Sequence, residues 1–349
     1  MSNVYAIKFQ GTTLVRDIKE ISKRLLQHTI EAEKIGLRDE IPLKVHFGEK
    51  GNSTFIKPEN YDGIIDFLEE NKIKTVFIET SVMYGGHRHN KQLHLETAAE
   101  HGFTRLPIVI ADGEQGENFY EVEIRKKHFA TCKLGKEFVK YDQLIVLSHF
   151  KGHLFAGFGG AIKQLAMGFA AKGGKLAQHM GSKPKIKSSK CKKCHLCEKR
   201  CAVHAITIGE RSFIDHEKCV GCGACVSICP HKAVTIFSGK AIFRFLSGIG
   251  NPFYEKIAEY AYAAQQGKNN IYVNFVMNVT NGCDCEPKLM KPIMDDIGIL
   301  VSTDPVAVDQ ACYDLVKQKG KKFRGSYTLE YAEALGVGSR KYVLRELAL

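Results

Sequence analysis

The chain has 349 residues, of which 44% are hydrophobic and 25% are charged, and this composition excludes a disordered or fibrous protein. No apolar run approaches the roughly 18 residues that span a membrane, and the N-terminus lacks the basic-then-apolar pattern of a signal peptide, so we expect a cytoplasmic protein. The formal net charge of +12 suits an acidic protein partner, and the lack of a recognised nucleic-acid-binding pattern argues against nucleic acid.

The first half of the chain alternates between strand-like and helix-like segments. Stretches dense in Val and Ile predict strands buried on both faces, at 4–9, 42–49, 74–80, 107–112 and 143–150. Segments with apolar residues at three- and four-residue spacing predict amphipathic helices between them, at 12–32, 60–72 and 90–102. This alternation is typical of an α/β fold with a largely parallel sheet flanked by helices.

The alternation stops near residue 185 and resumes beyond residue 237. The resumed pattern predicts helices at 251–267 and 304–320 and strands at 270–279 and 297–302. We therefore predict an α/β domain in two parts, residues 1–185 and 238–349, interrupted by a small inserted α+β domain at 186–237. An insertion at an exposed loop costs little, because loop-closure entropy grows slowly with length.

Eight of the twelve cysteines lie within this break in the pattern. Without an export signal, we expect them to be metal ligands rather than disulfides. They form two blocks with the same C-x2-C-x2-C-x3-C spacing: Cys191, Cys194, Cys197 and Cys201, then Cys219, Cys222, Cys225 and Cys229. A similar tail follows each block, AVHAITI (202–208) and PHKAVTI (230–236), so the segment is an internal duplication.

The duplication resembles the bacterial two-cluster ferredoxin, in which each block gives three ligands to one [4Fe–4S] cluster and its fourth cysteine to the other. The resemblance implies two ligand sets: Cys191, Cys194, Cys197 and Cys229 for cluster one, and Cys219, Cys222, Cys225 and Cys201 for cluster two. Zinc usually takes two separated pairs of ligands and fits this spacing poorly. The first block has Lys193 and His195 where the second has glycines, so we expect the two reduction potentials to differ.

A second resemblance, to the iron–sulfur branch of the domain of unknown function 362 family, covers nearly the whole chain. It is carried by KVHFGEKGN (44–52), SHFKGHLFAGFGGAIKQLAMG (148–168), NGCDCEP (281–287) and DIGILVSTDPVAVDQACYDL (296–315). The resemblance implies a two-cluster ferredoxin-type segment inserted at this position. It implies no particular reaction, because none is securely assigned to the family.

The stretch SHFKGHLFAGFGGAIKQ (148–164) predicts the end of a strand that leads into a helix. Ligands of α/β sheets bind beyond the carboxyl ends of strands. We expect Gly157, Gly159 and Gly160 to let the backbone approach a cofactor or small anionic ligand, with Lys163 in the first turn of a helix whose N-terminus could hold the anion. The sequence is equally compatible with a tight strand–helix turn and a surface lysine.

Cys283 and Cys285 form a C-x-C pair that could bind a third metal together with a histidine, act as a redox dithiol or remain inert. We expect Asp284 and Glu286 to raise the thiol pKa values by like charge, which argues against a highly reactive nucleophile. The segment at 84–90 follows a strand end and could line the same crevice. We assign structural roles to the following: hydrogen-bonded histidines (His46, His87, His89), buried thiols (Cys132, Cys312), a helix cap (Asp304) and a solvated helix residue (Asp309).

The leading hypothesis is an iron–sulfur electron-transfer protein that acts as a reductase or reductase component under anaerobic conditions. Low-potential electrons from a redox partner protein would reach a crevice whose catalytic candidates are His149, Lys163, Cys283 and Cys285. The alternative is a non-enzymatic ferredoxin-type carrier whose α/β domain docks a partner enzyme. A redox-sensing regulator would need a nucleic-acid-binding module, for which the sequence gives no sign.

Overall fold

The computed structural model describes residues 1–9, 15–179, 184–219, 221, 223–235 and 251–348. The prediction that Cys222 is a cluster ligand lies outside the described residues, as does the predicted helix start at 12–14. No helix within the described ranges is both long and apolar enough to cross a membrane.

Short strands are spread along the whole described chain. They are β1 (Ser2–Lys8), β2 (Leu43–Lys44), β3 (Phe77–Glu79), β4 (Ile108–Ile110), β5 (Phe119–Glu123), β6 (Thr131–Gly135), β7 (Ile145–His149), β8 (Lys151–His153), β9 (Gly157–Gly159), β10 (Lys185–Ile186), β11 (Ile206–Thr207), β12 (Phe213–Ile214), β13 (Val234–Thr235), β14 (Ile271–Val276), β15 (Gly298–Ser302) and β16 (Tyr342–Glu346). Helices alternate with these strands. They are α1 (Val15–Ala32), α2 (Asp62–Glu70), α3 (Lys91–Glu100), α4 (Ala161–Gly168), α5 (Lys172–His179), α6 (Leu196–Lys199), α7 (Ala224–Ile228), α8 (Asn251–Gln265), α9 (Pro305–Gln318) and α10 (Tyr327–Ala334).

Eight of the described strands form one large sheet in the order β16–β1–β15–β14–β7–β2–β3–β4. Strands β14, β7, β2, β3 and β4 run parallel, β15 runs antiparallel to both of its neighbours, and β1 pairs parallel with β16. The large, mostly parallel sheet with flanking helices confirms the predicted α/β class.

The two faces of the sheet pack against separate layers of helices. On one face, Ile145 and Leu147 of β7 join a core that α1 and α2 complete. On the other face, Val146 packs in a core with residues of α4, α8 and α9. Because β7 is covered on both faces, all five of its residues are buried, which explains why its first three residues are all apolar.

Two features differ from the predicted elements. The strand predicted at 42–49 pairs in the sheet only through β2, because the chain then leaves the sheet and the Glu49 backbone N–H donates to the carbonyl of Asp284 at 2.8 Å. The hairpin of β5 and β6 was not predicted, since most of its residues are half-exposed or exposed and give weak periodicity. Helix α9 begins as predicted, with the Asp304 carboxylate accepting from the backbone of Val306 and Ala307.

The cysteine-rich segment has small sheets of its own. Strand β10 pairs antiparallel with β13, matching Lys185 with Thr235, and β11 pairs with β12. Helices α6 and α7 pack on each other, and the buried residues of the segment form one small cluster: Cys197, Ile206, Ile208, Cys225 and Val234. The two ends of the segment therefore lie side by side.

The order of the large sheet reverses at β2. From β2 the chain moves outward through β3 and β4, and it then returns to β7 on the other side of β2. Loops on the two sides of such a reversal diverge at the carboxyl ends of the strands and leave a crevice, the usual ligand site of this architecture.

Candidate functional site

A cavity of about 480 Å³ opens at this carboxyl edge of the sheet. Loops after four parallel strands supply its walls: His46 follows β2, Tyr84 follows β3, His149 ends β7, and Cys283 follows β14. Helix α4 adds Lys163. The volume is in the range of small-molecule sites, and all the side chains predicted as catalytic line this one cavity.

Asp284 holds the turn that carries the two thiols. It is fully buried, and its carboxylate lies 2.7 Å from Nζ of Lys151 and 3.0 Å from Nδ1 of His149. Burial alone would raise the pKa of Asp284, but the charges of His149 and Lys151 hold it well below its usual range. The carboxylate points into the protein, and the flanking thiols of Cys283 and Cys285 line the cavity.

Cys283 has the environment of a thiolate. A hydrogen bond from the Cys285 thiol, the charge of Lys163 and a hydrogen bond from His153 lower the pKa of Cys283 well below its ordinary value despite burial. The same hydrogen bond raises the pKa of Cys285, the donor. The expectation that Asp284 and Glu286 raise the thiol pKa values is therefore wrong for Cys283, because its hydrogen-bond donors and the charge of Lys163 outweigh the acidic neighbours.

His153 faces Cys283 in a defined tautomer. Its Nδ1 accepts hydrogen bonds from the backbone N–H groups of Phe155 at 3.2 Å and Ala156 at 3.0 Å. Burial and the nearby charge of Lys163 lower the pKa of His153, which favours the neutral ring. A neutral imidazole that accepts at Nδ1 carries its proton on Nε2. Nε2 is therefore the nitrogen left to donate a hydrogen bond to the Cys283 sulfur.

Cys283, Cys285 and His153 are also close enough to be considered as metal ligands. Among the described residues, they form the one group of three or more His, Cys, Asp or Glu side chains whose donor atoms all lie within 4.8 Å of one another. A metal-bound imidazole usually donates its other N–H to an acceptor, whereas Nδ1 of His153 meets two backbone donors. The spacing suits a metal ion, but the hydrogen bonds of the ring suit a thiolate partner.

His149 has a supporting position. Its Nδ1 lies against the Asp284 carboxylate and its Nε2 lies 2.8 Å from the carbonyl oxygen of Met277. Both ring nitrogens are thus taken by protein oxygens. The ring fixes Asp284 and through it the thiol turn, and it has no nitrogen left for a ligand.

Lys163 is the cation of the cavity that has no partner in the described protein. Lys151 pairs with Asp284, and Arg88 pairs with Glu49 at 3.3 Å. Lys163 makes no ion pair or hydrogen bond within the described ranges, and it is half-buried beside Cys283. An anionic group in the cavity would find its charge there.

The glycine-rich turn before α4 works differently from the prediction. Asp309 of α9 fills the helix N-terminus, since its carboxylate accepts from the backbone N–H groups of Ala161 at 2.7 Å and Ile162 at 2.9 Å. Asp309 is fully buried, so its assignment as a solvated residue is wrong. The helix N-terminus already holds an internal carboxylate, so it cannot be the site of an external anion.

The three glycines of this turn have separate places. Gly159 and Gly160 line the cavity, whereas Gly157 lies outside its lining in the left-handed region at φ +80°. A Cβ on Gly157 would collide with the backbone carbonyl of Arg324, and one on Gly160 would collide with the Asp309 carboxylate. Close contacts with other parts of the protein therefore explain why Gly157 and Gly160 are glycines. Of the three, only Gly159 leaves space toward the cavity.

The family described as Domain of unknown function (DUF362) matches residues 41–314. The chain belongs to this family. It is also distantly similar to a protein from Thermotoga maritima (13% identity, TM-score 0.45, 89% of this chain and 60% of that one) and to the lactate racemase apoprotein from Thermoanaerobacterium thermosaccharolyticum (15% identity, TM-score 0.39, 79% and 51%). The chain thus spans 60% or less of the length of these two structures. No curated protein matches it.

In this DUF362 protein the cysteine-rich segment lies against the cavity wall. A Cβ built on Gly221 would lie 3.6 Å from Leu176 of α5, and one built on Gly223 would lie 3.9 Å from the carbonyl of Met83. Met83 and residues of α5 line the cavity. The second cysteine block therefore abuts the outer side of the wall that faces the thiol pair.

Several residues of the site were not found by sequence reasoning. Lys151, Asp284, His153 and the buried Arg88 gain their roles only from neighbours that are distant in the chain. His46 lines the cavity, while the thiols predicted to be buried, Cys132 and Cys312, are fully buried. The one available signal was spacing, since NGCDCEP (281–287) places an acidic residue between two thiols.

Proposed function

We propose that this DUF362 protein is an electron-transfer iron–sulfur protein, a reductase or a component of one, that acts on a small anionic ligand in the cavity. Residues 186–237 would be an inserted ferredoxin-like domain with two [4Fe–4S] clusters. Such clusters pass electrons one at a time at low potential. The protein's own residues would bind the ligand, shield it from water and present the thiols of Cys283 and Cys285.

The main observation in support of this proposal is that cysteines from the two blocks lie close together. Burial and the nearby Cys229 and Cys191 raise the pKa of Cys197, so a cysteine of the second block lies beside two of the first. Cys191, Cys201 and Cys229 pack against one apolar cluster that contains Cys197 and Cys225. The proximity of Cys229 to Cys191 and Cys197 supports the crossed ligand set that we propose for cluster one.

The spacing of these sulfurs supports a cluster over a single ion. A tetrahedral zinc with Zn–S bonds of about 2.3 Å holds its sulfurs about 3.8 Å apart. No three of the block cysteines that the structure describes come within 4.8 Å of one another. A [4Fe–4S] cube binds one thiolate at each of its four iron atoms, which lie apart from one another, and therefore accepts more widely spaced sulfurs.

The pairing of the segment's two ends supports an inserted unit. Lys185 pairs with Thr235 and Ile186 with Val234, so the first and last described strands of the segment lie side by side. It also has a small apolar cluster of its own. A unit of this kind can be added to an α/β domain without changing the sheet.

The position of the second block supports delivery of electrons to the cavity, because Gly221 and Gly223 abut α5 and Met83 of its wall. The anionic ligand is supported by Lys163, which has no partner among the described residues. The predicted anion site at the N-terminus of α4 gives no such support, since Asp309 occupies it.

The test is the content of iron, acid-labile sulfide and zinc in protein purified without oxygen, together with electron paramagnetic resonance after reduction with dithionite. We expect about eight iron and eight sulfide per chain, from two four-iron clusters, and reduced signals from two interacting centres. Iron and sulfide near zero, or stoichiometric zinc in their place, would overturn the proposal.

A second measurement separates the reductase from the carrier. Thermal unfolding with added sulfate, phosphate or a short dicarboxylate should show stabilisation that Lys163→Gln abolishes and Lys317→Gln, at an exposed lysine of α9, retains. Full iron without any such stabilisation would favour the carrier.

A further inference from the structure

Cys283 and Cys285 are arranged as an attacking thiolate and a resolving thiol. We propose that they form a redox-active dithiol that reduces small anionic disulfides by thiol–disulfide exchange, with Cys283 as the attacking sulfur. The pair lines the cavity, its sulfur atoms lie within 4.8 Å of each other, and the Cys285 backbone N–H lies 3.4 Å from the Cys283 sulfur.

Three groups stabilise the Cys283 sulfur as a thiolate, the form that attacks a disulfide. His153 presents Nε2–H because its Nδ1 accepts from two backbone donors, Cys285 donates its thiol hydrogen, and Lys163 adds a positive charge. A thiolate, not a thiol, is the nucleophile in exchange. A thiolate stabilised by donors on either side and a nearby ammonium group remains available at neutral pH.

The turn also allows the bond between the two sulfurs to form. Asp284 is fixed by His149 and Lys151 on the far side, and this holds both thiols on the cavity side of the chain. A disulfide needs its sulfurs about 2.05 Å apart. The two sulfurs lie within 4.8 Å of each other, so formation of the bond has a short distance to close.

The exchange balances without any other reagent. The Cys283 thiolate bonds to one sulfur of the ligand, the ligand's S–S bond breaks, and a free thiolate leaves. The Cys285 sulfur then bonds to Cys283, the mixed disulfide breaks, and the second ligand thiolate leaves with the proton of Cys285. Two electrons have passed from the dithiol to the ligand, and the protein holds a Cys283–Cys285 disulfide.

The charge of the ligand follows from Lys163. It is the cavity cation without a partner in the described protein, and it lies close enough to Cys283 to influence its charge. A disulfide with a carboxylate a few bonds from sulfur would place its charge against Lys163 while presenting the S–S bond to Cys283. An ammonium group at the same position would be repelled.

Only the return of the pair to the dithiol, which takes up two electrons and two protons, rests on the proposed iron–sulfur function. The exchange step itself needs no cluster. The two ideas can therefore fail separately.

The experiment uses the full chain, purified without oxygen and pre-reduced, with two probes of the same length and opposite charge, dithiodipropionate and cystamine. Peptide mapping by mass spectrometry follows the peptide that contains residues 283 and 285. We expect an intramolecular disulfide at this peptide, two released thiols per chain, and a reaction about tenfold or more faster with the anionic probe, as expected for attraction of a charged ligand.

Three variants assign the roles. Cys283→Ser should abolish the reaction at this peptide, and Cys285→Ser should stop at a mixed disulfide on Cys283, seen as the added mass of half a probe. Lys163→Gln should bring the two probe rates close together. Cys132→Ala, at a buried thiol outside the cavity, should behave as the unchanged protein.

Several outcomes would overturn the inference. Continued reaction through Cys285 in the Cys283→Ser protein would reverse the roles. One zinc per chain that disappears with Cys283→Ser would make the pair a metal site. If protein with its full iron content does not react at the 283–285 peptide, the dithiol proposal fails and the iron–sulfur proposal stands. If protein without iron does react there, the iron–sulfur proposal fails and the dithiol proposal stands.

Discussion

The two cysteine regions to which we assign chemistry, the segment at 191–229 and the pair at 283 and 285, are recognised in different ways. In the segment at 191–229 the signal is local, because the same C-x2-C-x2-C-x3-C spacing occurs twice along the chain. At Cys283 the surroundings come from elsewhere, with His153 beyond β7 and Lys163 on α4. The chemistry of a site defined by local spacing can therefore be predicted from the sequence. A site formed by residues that are distant in the chain can be identified only once the fold is known.

The two regions also differ in what supports them. The cavity stands on a sheet with a large apolar core on each face, so its side chains are held before any ligand arrives. The buried core of the cysteine-rich segment is one small cluster that includes two of the cysteines themselves. Because metal binding supplies folding energy to small metal-dependent domains, we expect the segment to depend on the clusters that we propose for it and the cavity to be independent of them.

The largest effect is expected from Cys197→Ser, which removes a ligand predicted for cluster one. Iron should fall from about eight to about four per chain, and amide hydrogen exchange should increase throughout residues 185–235 and remain unchanged in the large sheet. Cys132→Ser, outside the segment, should keep all its iron. Full iron in the Cys197→Ser protein would remove this cysteine from the ligand set.

On the cavity side, the next largest effect is expected from Asp284→Asn. The substitution leaves the buried Lys151 and His149 without their counter-charge, and breaking a buried charge pair costs about 3–5 kcal/mol. The free energy of unfolding, measured in urea at pH 7, should fall by that amount, while Asp295→Asn at an exposed position should change it little. A loss equal to that of the control would mean that the turn is anchored in some other way.

The pH dependence of stability tests the same carboxylate. Because the folded pKa of Asp284 is depressed, the folded protein holds this proton less tightly than the unfolded chain does. Its contribution is therefore complete above the usual aspartate pKa of about 4 and is lost as the pH falls toward the folded value. The Asp284→Asn protein should lose less stability than the unchanged protein between pH 5 and pH 3, values chosen to bracket that usual pKa.

Much of the α/β scaffold could be predicted from the sequence. Buried strands such as β7 and β14 consist mostly of apolar residues, and the Asp304–Pro305 pair marks the start of α9 because capping is a local interaction. The shared cavity of Lys163 and Cys283 also follows from local rules, since both lie just beyond strand ends of one parallel sheet.

The roles of the site residues could not be predicted, for a physical reason. Asp309 looked solvated because helix periodicity does not reveal which buried donors a carboxylate will meet, and its partners at Ala161 and Ile162 are about half the chain away. The predicted direction of the pKa shift at Cys283 was wrong for the same reason. The nearest charge along the chain is Asp284, whereas the groups that lower the pKa of Cys283 are Cys285, Lys163 and His153.

A smaller effect on the cavity side is expected from Asp309→Asn. An amide in this position can accept with one oxygen only, so one of the donors at Ala161, Ile162 and Asn274 loses its partner at a cost of about 1–3 kcal/mol. Unfolding in urea at pH 7 measures this loss. An unchanged free energy of unfolding would mean that water replaces the missing acceptor.

Asp309 should also give a pH slope opposite to that of Asp284. Burial raises the pKa of Asp309 to about 6, so the folded protein holds this proton more tightly than the unfolded chain. Its contribution is complete below the usual aspartate pKa of about 4 and is lost as the pH rises through about 6. Asp309→Asn should remove this slope, and a slope that persists would assign it to another group.

The smallest expected effect, that of Lys163→Gln, distinguishes most directly between Cys283 and the cysteines of the two blocks. Lys163→Gln removes one positive charge near the Cys283 sulfur, and at a partly screened site this is worth about 1 kcal/mol. Alkylation of Cys283 by iodoacetamide at pH 7 should slow severalfold, because less of the sulfur is present as thiolate. The block cysteines should keep their rates, since their reactivity is set within their own segment. Equal slowing at both regions would mean that Lys163 acts on the fold as a whole, and the contrast between a locally determined and a tertiary cysteine site would then be lost.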